Sequence, residues 1–122
     1  MLKRDSLTAQ MQQLSHTLAK VKRLIVERQE TEARSVLQDV LDEYFGINMT
    51  DLLETQKNLQ PEELGLLADY LDVLATLTDD TASRQVIWKR ILLLYDTLEQ
   101  EHKMASFTHL ARRSEILKEL SQ

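Results

Sequence analysis

The chain has 122 residues and a formal net charge of −5, with 43% apolar and 29% charged residues. This composition is that of one globular domain and argues against a disordered or membrane-embedded chain. Only two glycines and one proline are present, where average usage predicts roughly 15. The shortage of turn-forming residues excludes a β-sandwich and the glycine-rich loops of nucleotide-binding α/β folds, and it predicts an all-α domain of five to six helices over residues 1–122.

Cysteine is absent, which excludes disulfides, thiolate zinc sites and a cysteine nucleophile. No apolar run approaches the ~20 residues of a membrane span, and no signal-peptide pattern follows Met1. We therefore expect a soluble cytoplasmic protein. Its charge is uneven, at +4 over residues 1–28, −11 over 29–80 and +2 over 81–122. The acidic middle disfavours a nucleic-acid contact over the whole surface.

A first helical hairpin is predicted over residues 6–46. Ser6 is a suitable cap for its first helix, and Thr31 for its second. Gly46 is a residue that would end the second helix. Apolar residues that alternate at spacings of four and three mark the buried seam of the first helix: Leu7, Met11, Leu14, Leu18, Val21 and Ile25. A wider stripe marks the second: Ala33, Val36, Leu37, Val40, Leu41, Tyr44 and Phe45.

A short helix over residues 48–57 and a second hairpin over 61–103 follow. Pro61 before two glutamates is a strong helix start, because proline fits the first helical position and acidic groups favour the positive end of the helix dipole. Asp80, Thr81 or Ser83 caps the next helix. That helix contains the unbroken apolar run 91–95. It is therefore either the buried centre of the fold or a helix with one face against another chain.

A last helix is predicted over residues 106–121. Its apolar residues are expected to close the core: Phe107, Leu110, Ile116, Leu117 and Leu120. The boundary at Met104 and Ala105 contains neither glycine nor proline, so the fifth and sixth helices could also form one long bent helix.

The two hairpins resemble a degenerate tetratricopeptide helix-turn-helix, with Ala75 near the crossing point. Ala33, Leu37 and Val40 align with Ile87, Ile91 and Leu94, although the 54-residue separation departs from the tandem period. Over most of its length the chain is also similar to a family of small uncharacterised bacterial proteins, mainly Gram-positive. The residues that carry this resemblance are Leu2 to Asp5, Leu14 to Ile25, Glu32, Ala33, Tyr44 to Ile47 and Asp51 to Leu53. The resemblance implies a tetratricopeptide-like fold and no established activity, cofactor or catalytic residue.

Catalytic and metal sites are weakly indicated. Glu99 and His102 have the spacing that helical di-iron sites use, but neither His16 nor His109 has a carboxylate at the same offset. Gly46 and Gly65 have structural explanations, the first as a helix cap and the second as a point of close helix approach. No glycine-rich phosphate or oxyanion loop remains. We expect neither an enzyme nor a cofactor.

Two surfaces are candidates for partner binding. The basic residues Lys20, Lys22 and Arg23, followed by Arg28, form either a solvated helix face or a contact for an acidic partner. The apolar residues Trp88, Leu92 and Leu93 form either core or a self-association surface. The preferred hypothesis is a non-catalytic helical scaffold that binds a protein or peptide, with a second copy of the chain as one possible partner. The alternative is a small nucleic-acid-binding regulator that uses the basic first helix.

Overall fold

A computed structural model describes residues 2–45, 59–104 and 106–121. Within these ranges the chain forms five α-helices and no strand, which confirms the all-α fold. The chain divides into two compact units, Met1–Lys57 and Asn58–Gln122, and the expectation of a single domain stays a prediction. The predicted helix over 48–57 and the predicted cap Gly46 lie outside the described residues. None of the described helices is long and apolar enough to span a bilayer.

The first unit contains helices α1 (Leu2–Val26) and α2 (Glu30–Asp39) and a π-helical turn (Val40–Tyr44). Two predicted caps are wrong, since Ser6 and Thr31 both lie inside helices. Leucine, lysine and arginine before Ser6 are strong helix formers, so the helix extends back past it. Residue Gln29 occupies the N-cap position of α2.

The buried side of α1 differs from the predicted seam at its end. Leu14, Leu18 and Val21 are buried as predicted, but Leu24 replaces the half-buried Ile25. An α-helix has 3.6 residues per turn, so a seam with strict heptad spacing drifts around a straight helix. Near the other end of the hairpin, the Tyr44 hydroxyl donates to Gln10 Oε1 at 3.3 Å. This contact ties the end of the second helix to α1 near its start, as in an antiparallel hairpin.

The turn between α1 and α2 reverses the chain without glycine. Arg28 has a φ of 63°, in the left-handed region that glycine normally occupies. Its N–H donates to Ile25 O at 3.0 Å, and the Gln29 N–H donates to Leu24 O at 2.8 Å. These two bonds form a Schellman motif, which satisfies carbonyls at the end of the helix. A search for glycine or proline would not find this turn.

The second unit contains α3 (Pro61–Leu77), α4 (Thr81–Gln100) and α5 (Phe107–Leu120). Pro61 begins α3 as predicted, and the Gln60 N–H before it donates to Glu63 Oε1 at 3.0 Å. Asp80 is the cap of α4, and its carboxylate accepts from the Ser83 N–H at 2.9 Å and hydroxyl at 2.7 Å. These hydrogen bonds, that of the hydroxyl first, lower the pKa of Asp80. The start signals therefore locate both helices correctly.

The core of the second unit lies between α3 and α4. Fully buried side chains come from both faces of α3 and from one side of α4. They include Leu64, Leu67, Tyr70, Leu71, Ile91 and Leu94. In α4 the apolar run is not buried on every side, because Leu92 is half-buried and Leu93 is 36% exposed.

Helices α4 and α5 are separate, so the interpretation of one long bent helix is wrong. Before α5, Ser106 Oγ accepts from the His109 N–H at 3.0 Å, which is an N-cap bond. Beyond the end of α4, Lys103 has a φ of 54°. The Met104 N–H donates to Leu98 O at 2.8 Å. The left-handed residue Lys103 thus follows the end of α4, and the polar cap Ser106 begins α5, without a glycine or proline between the two helices.

Candidate interaction surface on the last helix

Most of the apolar side chains of α5 point away from the core, contrary to the expectation that they would close it. Only Ile116 is buried, at 0% exposure. Phe107 is 92% exposed, Leu110 41% and Leu117 52%. At about 100° per residue, Phe107 and Ile116 lie on opposite sides of the helix. The exposed residues Phe107, Leu110 and Leu117, with Ser114 between them, are called the α5 stripe below.

Charged side chains hold the inner side of α5 against its neighbours. Arg112 donates from Nε and Nη2 to the two carboxylate oxygens of Asp72 on α3, both at 2.8 Å. Arg113 donates to Glu99 at 2.6 Å and also pairs with Asp96, both on α4. Bidentate arginine–carboxylate pairs are both strong and geometrically specific. They fix which side of α5 faces inward, and therefore expose the stripe on the opposite side.

The imidazole of His109 is a third contact between α5 and the rest of the unit. Its Nε2 lies 3.2 Å from Asp69 Oδ1, and because an ionised carboxylate only accepts, Nε2–H is the donor. The ring stacks on Tyr95 with centroids 4.7 Å apart and planes at 26°. Burial raises the pKa of Tyr95, and the nearby Asp72 and Asp69 add to this effect. Tyr95 therefore stays a neutral phenol under His109.

An open cleft of about 510 Å³ lies beside this contact. Pro61, Gly65 and Asp69 line it from α3, and Met104 and His109 line it from the other side. Its walls combine apolar carbons with a few polar groups, which suits the edge of a protein-binding surface. Met104, which is 43% exposed, precedes the first residue of α5 by three positions. The cleft lies on the His109 side of α5, and no residue of the α5 stripe is among those that line it.

Gly65 does not have the role predicted for it. A Cβ at this position would lie 3.7 Å from His109 Cε1, which is an ordinary van der Waals distance. Close helix approach therefore does not require glycine here. Gly65→Ala is expected to raise the free energy of unfolding by up to about 1 kcal/mol, through helix propensity. Urea unfolding followed by the fluorescence of Trp88, the single tryptophan, measures this.

The matched control for Gly65→Ala is the opposite change on an exposed helix position. Ala111→Gly on α5 is expected to lower the free energy of unfolding by a similar amount. A loss of stability in Gly65→Ala would contradict the interpretation and would mean that the His109 ring cannot accommodate the added methyl group.

Of the residues considered for a metal site, Glu99 and His109 are held by other side chains. Glu99 accepts from Arg113 at 2.6 Å, and His102 is exposed just beyond α4. His109 is bound to Asp69 and stacked on Tyr95. Over the ranges 2–45, 59–104 and 106–121, no group of three or more histidine, cysteine or carboxylate side chains is arranged to hold a metal ion.

The predicted basic patch lies in the first unit. Lys20, Lys22 and Arg23 are all exposed on α1. Lys20 and Lys22 are two residues apart and so point about 160° apart around the helix, with Arg23 between them on the solvent side. Arg23 Nε also lies 3.8 Å from Glu27 Oε1. The three cations are therefore spread around the helix and do not form one dense positive strip.

The predicted apolar patch lies on α4. Trp88 and Leu92 are half-buried, and Leu93 is at the edge of exposure. The Arg84 guanidinium lies 5.9 Å from the Trp88 ring centroid, while its Nε and Nη2 donate to Thr78 O at 3.0 and 2.7 Å. The Trp88 indole Nε1 is buried and has no hydrogen-bond partner among the residues that the structure describes. These residues offer much less free apolar surface than the α5 stripe.

The α5 stripe was missed because all apolar residues of α5 were assigned to the core. The sequence does contain a signal for the stripe, because His109, Arg112 and Arg113 lie on the same side of the helix as Ile116 and therefore opposite Phe107.

Comparisons of this chain with models of protein families, with curated proteins and with solved structures find no match. The likeness to tetratricopeptide proteins and to a bacterial family therefore stays a prediction.

Proposed function

We propose that this protein is a non-catalytic helical interaction module that docks an amphipathic helix of a partner on the α5 stripe. The observation that carries the proposal is the exposure of Phe107, at 92%, on a helix whose opposite side is anchored. Leu110 and Leu117 extend the same face. Exposed apolar side chains grouped on one face of a helix typically mark a site of protein interaction.

The shape of the surface favours a helical partner. The stripe is a straight ridge on a helix, with apolar side chains three and ten residues from Phe107. A partner helix with apolar residues at matching spacing can pack its side chains between those of such a ridge. An extended strand would find no sheet edge to join within the described residues, since these form helices only.

The polar groups near the stripe favour a binding role for this surface over a catalytic role. Arg112, Arg113 and His109 each hold a carboxylate of a neighbouring helix. Such contacts position α5 and turn these three charged groups away from the α5 stripe. The separation of Lys20 and Lys22 around α1 gives less support to the nucleic-acid alternative, because phosphate contacts benefit from clustered cations.

The experiment uses a fluorescein-labelled, designed amphipathic helix with leucines at the spacing of the stripe and glutamate and lysine elsewhere. We expect its fluorescence anisotropy to rise on titration with the protein. Phe107→Ser should weaken the affinity at least tenfold, since buried aromatic anchors dominate such interfaces. Because Phe107 is so exposed, this change should leave the folding stability nearly unaltered.

The matched control is Val86→Ser, which removes another exposed apolar side chain, 48% exposed on α4. It should bind the peptide as tightly as the unaltered protein. A peptide of the same composition in scrambled order should not bind. Equal affinity of the unaltered protein and Phe107→Ser for the designed helix, or no binding at all by the protein in its monomeric form, would refute the proposed function.

A further inference from the structure

We propose that the α5 stripe binds the α5 stripe of a second copy of this chain, with the two helices antiparallel about a two-fold axis at Ser114. This inference rests on the proposed function and names its partner. The first argument for it is the spacing of the residues. Positions 107, 110, 114, 117 and 121 alternate by three and four, the spacing of residues that face a partner helix in a coiled coil.

The second argument is that the stripe is complementary to itself. In an antiparallel pair centred on Ser114, Phe107 of one copy faces Ser121 of the other, so the largest side chain meets one of the smallest. Leu110 then packs beside Leu117 of the other copy. A two-fold interface requires this reciprocity, because each patch must fit its own copy.

The small residue at the axis permits a close approach of the helices. Ser114 is exposed, and two serines facing each other across the axis keep the backbones near the short end of the usual range of helix separations. A parallel pairing would instead place Phe107 against Phe107 and Ser121 against Ser121. The contact would then have two large side chains at one end and two small ones at the other. The antiparallel arrangement, which pairs a large side chain with a small one at both ends, is therefore favoured.

The third argument is the area that the stripe offers. Phe107, Leu110 and Leu117 are between 41% and 92% exposed, which corresponds to apolar surface on the order of 400 Å². A standard interface buries about 800 Å² per partner, of which about 60% is apolar. The apolar surface on this face is thus close to what one partner of a stable dimer contributes.

The fourth argument concerns charge. Each copy carries a net charge of −5, which disfavours association at long range. No carboxylate belongs to the stripe, and Glu115, beside it, pairs with Arg112 at 3.0 Å. The positive charges of Arg112 and Arg113 are neutralised on the inner side of α5. The facing positions of the two stripes are therefore uncharged, and the exposed Lys118 lies at their border.

The test is sedimentation equilibrium of the whole chain together with a cysteine cross-link. The unaltered protein should sediment at twice the 14.2 kDa of one chain. Phe107→Ser and Leu117→Ser should each raise the dimer dissociation constant at least tenfold. Val86→Ser, on α4, should leave it unchanged.

The cross-link tests the register of the pairing. Because the chain has no cysteine, Ser114→Cys places a single thiol at the proposed axis. Mild oxidation should convert this variant to a covalent dimer much faster than Thr108→Cys, an exposed position on another side of α5. Equal rates for the two variants would contradict the antiparallel pairing at Ser114.

The outcomes separate this inference from the proposed function. A protein that stays monomeric in the hundred-micromolar range, or a dimer that Phe107→Ser does not weaken, overturns the second copy as partner. If the monomer still binds the designed amphipathic helix, the docking function stands and only the partner is wrong. If it binds neither, both proposals fail.

Discussion

Replacing Ile116 by alanine is expected to lower the free energy of unfolding of the second unit by about 3 kcal/mol. Ile116 is the one fully buried side chain of α5 within the described residues, at 0% exposure. Its truncation removes apolar contacts and leaves a cavity that its neighbours cannot fill completely. Urea unfolding followed by the fluorescence of Trp88, which lies in the same unit, measures the loss.

Leu117→Ala is the matched control for Ile116→Ala. It also shortens an aliphatic side chain on α5, but its residue is 52% exposed. We expect a loss below about 1 kcal/mol at a protein concentration low enough to keep the chain monomeric. Equal losses in the two variants would mean that Ile116 is not the anchor of α5.

Replacing Arg112 by methionine is expected to destabilise the second unit by about 2 kcal/mol. The side chains of Arg112 and Asp72 are only 28% and 25% exposed, and the change leaves Asp72 without its two hydrogen bonds. The hydrogen bonds to Asp72 also raise the pKa of Arg112, so the guanidinium is charged throughout the accessible pH range. The same unfolding measurement applies.

Two comparisons show whether the loss comes from the ion pair. Lys118→Met removes an exposed cation from the same helix and should change stability by less than about 0.5 kcal/mol. Asp72→Asn combined with Arg112→Met should cost clearly less than the sum of the two single changes, since both remove one interaction. Strict additivity would show that Arg112 acts through packing alone.

Helix starts in the second unit could be predicted because their signals are local. Pro61 fixes its own φ, and Asp80 and Ser106 bond to N–H groups three residues ahead of them. These interactions depend only on neighbouring residues, so a single sequence contains them. The caps proposed in the first unit failed because Ser6 and Thr31 are preceded by residues that are themselves compatible with a helix.

The orientation of α5 could not be predicted in the same way. One side of the helix presents Phe107, Leu110 and Leu117, and the other presents Ile116 with His109 and two arginines. Hydrophobicity favours burying the first side. The structure buries the second, because Asp72 and Asp69 on α3 and two acidic residues on α4 bind the basic groups. These pairings join residues that are 14 to 40 positions apart.

The π-helical turn at Val40–Tyr44 has a consequence for the apolar repeat of the first hairpin. Ala33, Leu37, Leu41 and Phe45 recur at intervals of four, and all are buried. On a regular α-helix a repeat of four advances about 40° at each step, so its last member would turn away from the first. In the π turn the Phe45 N–H bonds to Val40 O, five residues back, and the chain winds more slowly. The wider turn therefore keeps Phe45 on the same side of the helix as Ala33, Leu37 and Leu41.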